Sequence, residues 1–308
     1  MSHTPVMVSQ TLTYLLHEDP RIIVDCTVGA GGHAEAVLES HPSVRLIGID
    51  RDPTALRVAK DRLARFGSRV RLVHGVYSDL DRALNEEGRA DGVLLDLGLS
   101  SMQLDDPGRG FSYSVDEPLD MRMSQTGITA ADWLAGAEVS DIAEVFRRNA
   151  DVRQAKRIAP AVKAAVDAGA MRTTGDLKTV VQKTLGSRAT PAELSRVFQA
   201  VRIKVNDELN QLDSFFGGLV GCMNPGGRIV VISYHSLEDR VVKSYFKLQS
   251  ASCTCPPEAP VCTCARSPVL RVLTRRVVKP TAAEVAENVR ARSARLRAAE
   301  VLRVEREQ

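Results

Sequence analysis

The sequence predicts an α/β fold: a mostly parallel sheet with helices on both faces, carrying an inserted all-helical domain. Three observations predict it. Four short runs of β-branched and aliphatic residues alternate with helical stretches in the first hundred residues, no such run occurs from about residue 105 to residue 186, and a further one, 228–234 (RIVVISY), follows later. Strand–helix alternation marks a parallel sheet covered on both faces. Its interruption and return reads as an insertion within one domain.

The predicted strands are 21–25 (RIIVD), 44–50 (VRLIGID), 70–75 (VRLVHG) and 91–97 (DGVLLDL), with helices over 34–40, 53–66 and 78–87 between them. The second helix opens with Asp52-Pro53, an N-cap followed by proline in the first turn. Residues 130–148 and 151–168 read as helices of the insertion. A long amphipathic helix follows, with apolar residues three or four apart from Leu194 to Leu219. The turn Asn224-Pro225-Gly226-Gly227 then leads into the late strand. The expected division is 1–104 and 194–308 for the two parts of the α/β domain and 105–193 for the insertion. Residues 253–264 read as an irregular loop, and 282–304 as an exposed, Arg-rich helix.

The chain of 308 residues, 44% hydrophobic, is long enough for such a core. It has no apolar run of membrane-spanning length, and its N-terminus lacks a signal-peptide pattern, so no membrane is expected and the expected location is cytoplasmic. The net charge is +3, but residues 266–308 hold eleven Lys/Arg against five Asp/Glu. A basic tail on a near-neutral chain suggests a polyanionic partner or a solvated helix face.

Candidate ligand-binding residues lie at the strand ends, where sheets of this kind bind ligands. The first strand ends in Asp25 and runs into Cys26-Thr27-Val28-Gly29-Ala30-Gly31-Gly32-His33, a turn that lets backbone pass close to a ligand at a helix start. The glycines alone are shared with many dinucleotide-binding proteins. The acid before them discriminates: a carboxylate repels a pyrophosphate but attracts the ammonium and sulfonium of S-adenosyl-L-methionine, although Asp25 could also merely cap the turn. Asp50 closes the second strand, where a carboxylate can accept from both ribose hydroxyls. Tyr77 follows the third and is placed to meet an adenine. Asp96 ends the fourth, where a methyl acceptor would lie. Together these residues indicate a Rossmann-like class I methyltransferase domain using S-adenosyl-L-methionine.

Longer motifs sharpen the reading. His3-Thr4-Pro5-Val6, 25–33 (DCTVGAGGH), 48–52 (GIDRD), 94–113 (LLDLGLSSMQLDDPGRGFSY), 118–123 (PLDMRM), 196–209 (RVFQAVRIKVNDEL), 232–243 (ISYHSLEDRVVK) and 290–300 (RARSARLRAAE) run nearly end to end. In these the chain resembles the bacterial RsmH or MraW family, enzymes that methylate N4 of a cytosine in the decoding centre of 16S rRNA, cytosine 1402 in the usual rRNA numbering. The resemblance implies cofactor contacts from Gly31, Gly32, His33, Asp50, Tyr77, Asp96 and Gln103, of which His33 and Gln103 come from the family alone. It also implies 16S rRNA, in the small ribosomal subunit or its precursor, as partner. Oligomeric state stays open, a homodimer included.

Transfer to cytosine would be an in-line displacement needing mainly alignment. Acceptors that hold the amine hydrogens would restore its lone pair, and Asp96, the Leu97 carbonyl and Ser100 are candidates. His235 could relay the released proton or serve as a supporting hydrogen-bond partner. The Pro-Pro-aromatic motif common in amino-methyltransferases is missing after Asp96, so a base-stacking ring would come from elsewhere, with Phe111, Tyr113 and Tyr234 as candidates. That absence also counts against the nearest rival, a DNA amino-methyltransferase. A non-catalytic ribosome-assembly factor is the rival from another class. The clusters Arg147, Arg148, Arg153, Lys156, Arg157, then Arg202 and Lys204, then Arg275 to Arg297, would meet RNA phosphates. Cys253-Thr-Cys255 and Cys262-Thr-Cys264 are tighter than the usual zinc knuckle. Reduced thiols or a disulfide are therefore expected there, with no metal site assigned.

Overall fold

The computed structural model describes residues 5–17, 19–255, 263–264 and 266–302. The chain forms two compact units, Met1–Gly98 with Gln211–Gln308, and Leu99–Asn210. Of the sequence readings above, Cys262 and the His3-Thr4 pair lie outside the described residues.

The first unit begins with α1 (Val8–Leu15) and then alternates β1 (Ile22–Asp25), α2 (Gly32–Ser40), β2 (Arg45–Asp50), α3 (Pro53–Leu63), β3 (Val70–His74), α4 (Leu80–Leu84) and β4 (Ala90–Asp96). The Asp52 side chain accepts from the Thr54 amide at 2.9 Å and Pro53 opens α3, as its sequence predicts. The helical unit holds α5 (Ser101–Asp105), α6 (Ala130–Gly136), α7 (Val139–Ala150), α8 (Ala155–Asp167), α9 (Thr174–Leu185) and α10 (Pro191–Asn206). After α11 (Glu208–Leu219), the first unit resumes with β5 (Met223–Ser233), α12 (Ser236–Gln249), β6 (Leu270–Val272), α13 (Ala282–Glu287) and β7 (Arg295–Val301).

The seven strands form one sheet in the order β3-β2-β1-β4-β5-β7-β6. β1 to β5 pair in parallel, and β7 pairs antiparallel with both β5 and β6. The chain reverses direction of build-up between β1 and β4, which makes that edge-to-edge junction the place where a ligand can enter at the strands' carboxyl ends. Two buried clusters cover the two faces: Val24, Ile47, Val93, Leu95, Ile229 and Val231 face α4, α11 and α12, while Ile23, Leu46, Leu94, Val230 and Ile232 face α1, α2 and α3. Alternation along each strand sends successive side chains to opposite faces, and both are apolar because both are covered. Gly92 of β4 makes room for this packing, since a Cβ there would lie 2.5 Å from Ile23 Cδ1 and 3.0 Å from Leu15 Cδ1.

The helical unit has its own core, in which Phe146, Ile142, Val162, Leu177, Val197 and Val201 are nearly or fully buried. A polar lock stands within it. Buried Asn206 donates to the Met121 carbonyl at 2.7 Å and the Arg202 carbonyl at 2.9 Å, and accepts from the Met123 amide at 2.8 Å. Arg109 donates to the Arg122 and Met123 carbonyls, and Arg202 pairs with Glu208 at 2.8 and 2.9 Å. Several residues of the long family-like blocks therefore hold this unit together.

Four sequence expectations need correction. The helical unit runs from Leu99 to Asn210, wider at both ends than 105–193, because α10 packs on α7 within the helical core. The single amphipathic helix to Leu219 is two helices: α10 ends at Asp207, whose φ of 53° is left-handed, a conformation that Asp tolerates better than most residues. The turn before the late strand lies within β5 itself, with Gly226 at φ 82° and a register shift opposite Ala90 and Gly92. The Arg-rich helix expected over 282–304 is instead, through Val301, α13, a 3₁₀ turn and the buried strand β7, with residues 303 and 304 outside the described residues. Its charges hid this, but Arg297 is paired with Asp239 at 2.6 and 3.2 Å, and Glu300 is paired with Arg271 and Arg228. Arg202, Arg295 and Arg297 are thus half-buried and ion-paired, whereas Arg275, Arg276, Lys279, Arg290 and Arg292 are exposed.

Candidate active site

The carboxyl ends of β1, β2 and β4 bring three acids onto one edge of the sheet. Register fixes their heights: Asp25 stands opposite Gly48 and Leu94, Asp50 opposite His74, and Asp96 opposite Ile232. The loop after β1 threads between them. The Thr27 hydroxyl accepts from the Asp96 amide at 2.7 Å, and the Val28 amide donates to the Ile49 carbonyl at 2.9 Å. Gly31 caps α2 with φ 81°, a left-handed conformation that favours glycine. A Cβ on Gly32 would lie 2.9 Å from Pro5 Cγ.

Asp25 is 2% exposed and accepts from the Thr27 amide at 3.2 Å. Burial pushes its carboxyl up to about 7, with His33 and the Thr27 amide pulling the other way. Asp50 accepts from the Gly29 amide and the Asp52 amide, both at 2.8 Å, and burial also raises it. Asp96 accepts from the Tyr234 hydroxyl at 3.0 Å through Oδ1, while its Oδ2 is 3.7 Å from His33 Nδ1. Burial pushes the Asp96 carboxyl up to about 7, the Tyr234 bond lowers it, and Glu238 raises it. Among the described residues, neither Asp25 nor Asp96 has a Lys or Arg within ion-pair distance. One buried and one half-buried carboxyl lacking a basic partner attract a cation when ionised.

His33 is buried in the first turn of α2, and its Nε2 lies 2.8 Å from the Val6 carbonyl. A carbonyl only accepts, so Nε2 carries the hydrogen. Burial lowers the ring's pKa, leaving Nδ1 as a bare acceptor turned toward Asp96. His33, Asp25 and Asp96 are therefore brought together, a grouping that the resemblance but not residue chemistry had signalled for His33. Tyr77 sits in a 3₁₀ turn after β3, edge-on to Phe215 with ring centroids 5.8 Å apart.

Sequence reasoning missed the role of Tyr234. It was singled out as a stacking candidate, yet its hydroxyl is committed to Asp96 and its ring lies against Gly98, where a Cβ would be 3.4 Å from Cδ2. No local pattern could reveal a bond spanning β4 and the end of β5. His235 caps α12: its Nδ1 accepts from the Glu238 amide at 3.3 Å, and its Nε2 is 2.9 Å from Glu238 Oε1. Glu238 in turn accepts from the Tyr234 and His235 amides. Ser100 and Gln103 belong to the helical unit, where they pair as a capping box at the start of α5, with bonds of 3.2 and 3.1 Å. Of the other stacking candidates, Phe111 is a core residue, and Tyr113 packs on Phe198 with its hydroxyl 3.1 Å from Ser195 Oγ. No helix among the described residues is long and apolar enough to cross a membrane.

Relatives match almost the whole chain in sequence. A protein of Geobacter sulfurreducens called ribosomal RNA small subunit methyltransferase H is 47% identical over 309 residues, covering 98% of this chain and 99% of that protein. Proteins of the same name from Desulfosudis oleivorans (44% identical, covering 97% and 98%) and Thermobifida fusca (46%, covering 97% and 93%) are similarly close. The profile of the MraW methylase family matches residues 1–302. A sheet with cation-attracting acids at its β1–β4 junction, and a match of this length, place the chain in the MraW methylase family, whose methyl donor is S-adenosyl-L-methionine.

Proposed function

We propose that this protein transfers a methyl group from S-adenosyl-L-methionine to N4 of a cytosine in the decoding centre of 16S rRNA, the residue numbered 1402, in the cytoplasm. The observation that carries the cofactor half is the pair of buried Asp25 and half-buried Asp96, with no Lys or Arg at ion-pair distance among the described residues. A ligand with a sulfonium and an ammonium supplies the missing positive charge, and an activated methyl carbon with it. Asp25, the His33 Nδ1 and the Gly31–Gly32 backbone suit its amino-acid end, Asp50 its ribose and Tyr77 its adenine; Gln103 joins them on family grounds. Support for the substrate half is the name shared by the relatives, together with exposed Arg147, Arg148, Arg153, Lys156 and Arg157 at the α7–α8 junction of the helical unit. Side chains of this kind suit phosphates, with the target base drawn out of its stack.

In this reading Asp96 accepts a hydrogen of the incoming amine. Holding that hydrogen localises the nitrogen lone pair for attack, and the Tyr234 hydroxyl fixes the carboxylate's orientation while it does so. Ser100 is a further candidate acceptor. His235, whose bonds go to Glu238, acts by setting the start of α12 behind Tyr234. The test is to incubate the protein and cofactor with small ribosomal subunits lacking the modification, with duplex DNA in a parallel reaction. The digested RNA is then analysed by mass spectrometry. N4-methylcytidine in RNA alone is expected; product in DNA, or in neither with cofactor bound, would favour the amino-methyltransferase or assembly-factor alternative respectively.

A further inference from the structure

We propose that Cys253, Cys255 and Cys264 form a structural zinc site that pins the connection between α12 and β6. Of the six cysteines in the chain, four fall within residues 253–264, as two C-x-C elements six residues apart. Cysteine is ordinarily among the most buried residue types, and Cys26 follows that rule at 1% exposure. The loop cysteines do not: Cys253 is exposed, and Cys255 and Cys264 are half-buried. Apolar packing therefore does not account for them.

Geometry does. Although Cys264 comes from the far side of the loop, its Sγ and those of Cys253 and Cys255 all lie within 4.8 Å of one another. A tetrahedral zinc site with bonds of about 2.3 Å sets its sulfurs about 3.8 Å apart, so small side-chain rotations suffice to close it. The base of the loop is already held, by the Val269 amide on the Gln249 carbonyl at 2.8 Å and by Arg266 on the Leu248 carbonyl at 3.0 Å. An all-sulfur donor set selects a thiophilic ion and disfavours magnesium or calcium.

The full-length protein is expressed in zinc-supplemented medium, purified without chelators under argon, and assayed for metal by mass spectrometry. About one zinc per chain is expected, falling at least fivefold in Cys255→Ser and Cys264→Ser and unchanged in Cys222→Ser. Cobalt exchanged into the wild-type protein should give a thiolate-to-metal charge-transfer band that both loop variants lack, with far-UV circular dichroism showing that they remain folded. Zinc absent from the wild type, zinc retained in the loop variants, or a disulfide mapped among these cysteines in the argon-prepared protein would each overturn the site.

Discussion

Replacing Tyr234 by Phe isolates one bond of the site. The ring and its packing against Gly98 stay, and only the hydroxyl that donates to Asp96 at 3.0 Å is lost. A hydrogen bond to an ionised group is worth about 1.5–3 kcal/mol. The Asp96 side chain is 23% exposed, so water replaces part of what is lost and the lower end applies. At 1.36 kcal/mol per pH unit, that is a rise of roughly one unit in the Asp96 pKa, from a starting point of about 7. The carboxylate is the form that accepts the amine hydrogen. Activity should therefore fall as pH drops through this pKa, and the variant should need a more alkaline medium to reach its plateau. The assay is methyl transfer to unmodified small subunits, with kcat/KM for the cofactor followed across pH, since that ratio reports ionisations of the free enzyme. Asp96→Asn should lose nearly all turnover while remaining folded. If the acid limb of Tyr234→Phe coincides with that of the parent, either the bond or the role of Asp96 is wrong.

Three further perturbations test other parts of the structure. Asp25 ionises near 7 in the folded chain against about 3.9 when unfolded, so its contribution to stability is fully present below about pH 4 and is lost as pH rises through 7, by up to about 4 kcal/mol. Melting curves of the cofactor-free protein should show that decline, and Asp25→Asn or saturating cofactor should flatten it; an unchanged slope would refute the burial argument. Gly92→Ala drives a methyl into Ile23 and Leu15 and should cost about 1–3 kcal/mol in denaturant unfolding, with a cost under a few tenths contradicting the packing described. Arg297→Ala leaves Asp239, among the described residues, with Arg295 alone, 3.7 Å away, and should cost about 2–3 kcal/mol of stability. Loss of RNA affinity with stability intact would restore the reading of β7 as an RNA-binding tail.

What the sequence determined on its own is the part governed by local periodicity and local chemistry. The first four strands, the Asp52-Pro53 start of α3 and the glycine-rich turn after Asp25 are all written in short windows, and the strand-end acids follow once a parallel sheet is assumed. Only the tertiary structure decided the remainder, because it depends on partners distant in the chain. β7 looks like an exposed basic helix until Asp239 neutralises Arg297 from 58 residues away, and Glu300 is likewise balanced by Arg228 and Arg271. The α10–α11 break rests on a left-handed Asp207 that periodicity cannot register. Tyr234 meets Asp96 across 138 residues of sequence, through two strands made neighbours by the sheet. The residue types that can do the chemistry are visible along the chain, but which of them share a proton or a charge is settled by packing, since electrostatic coupling acts through distance in space.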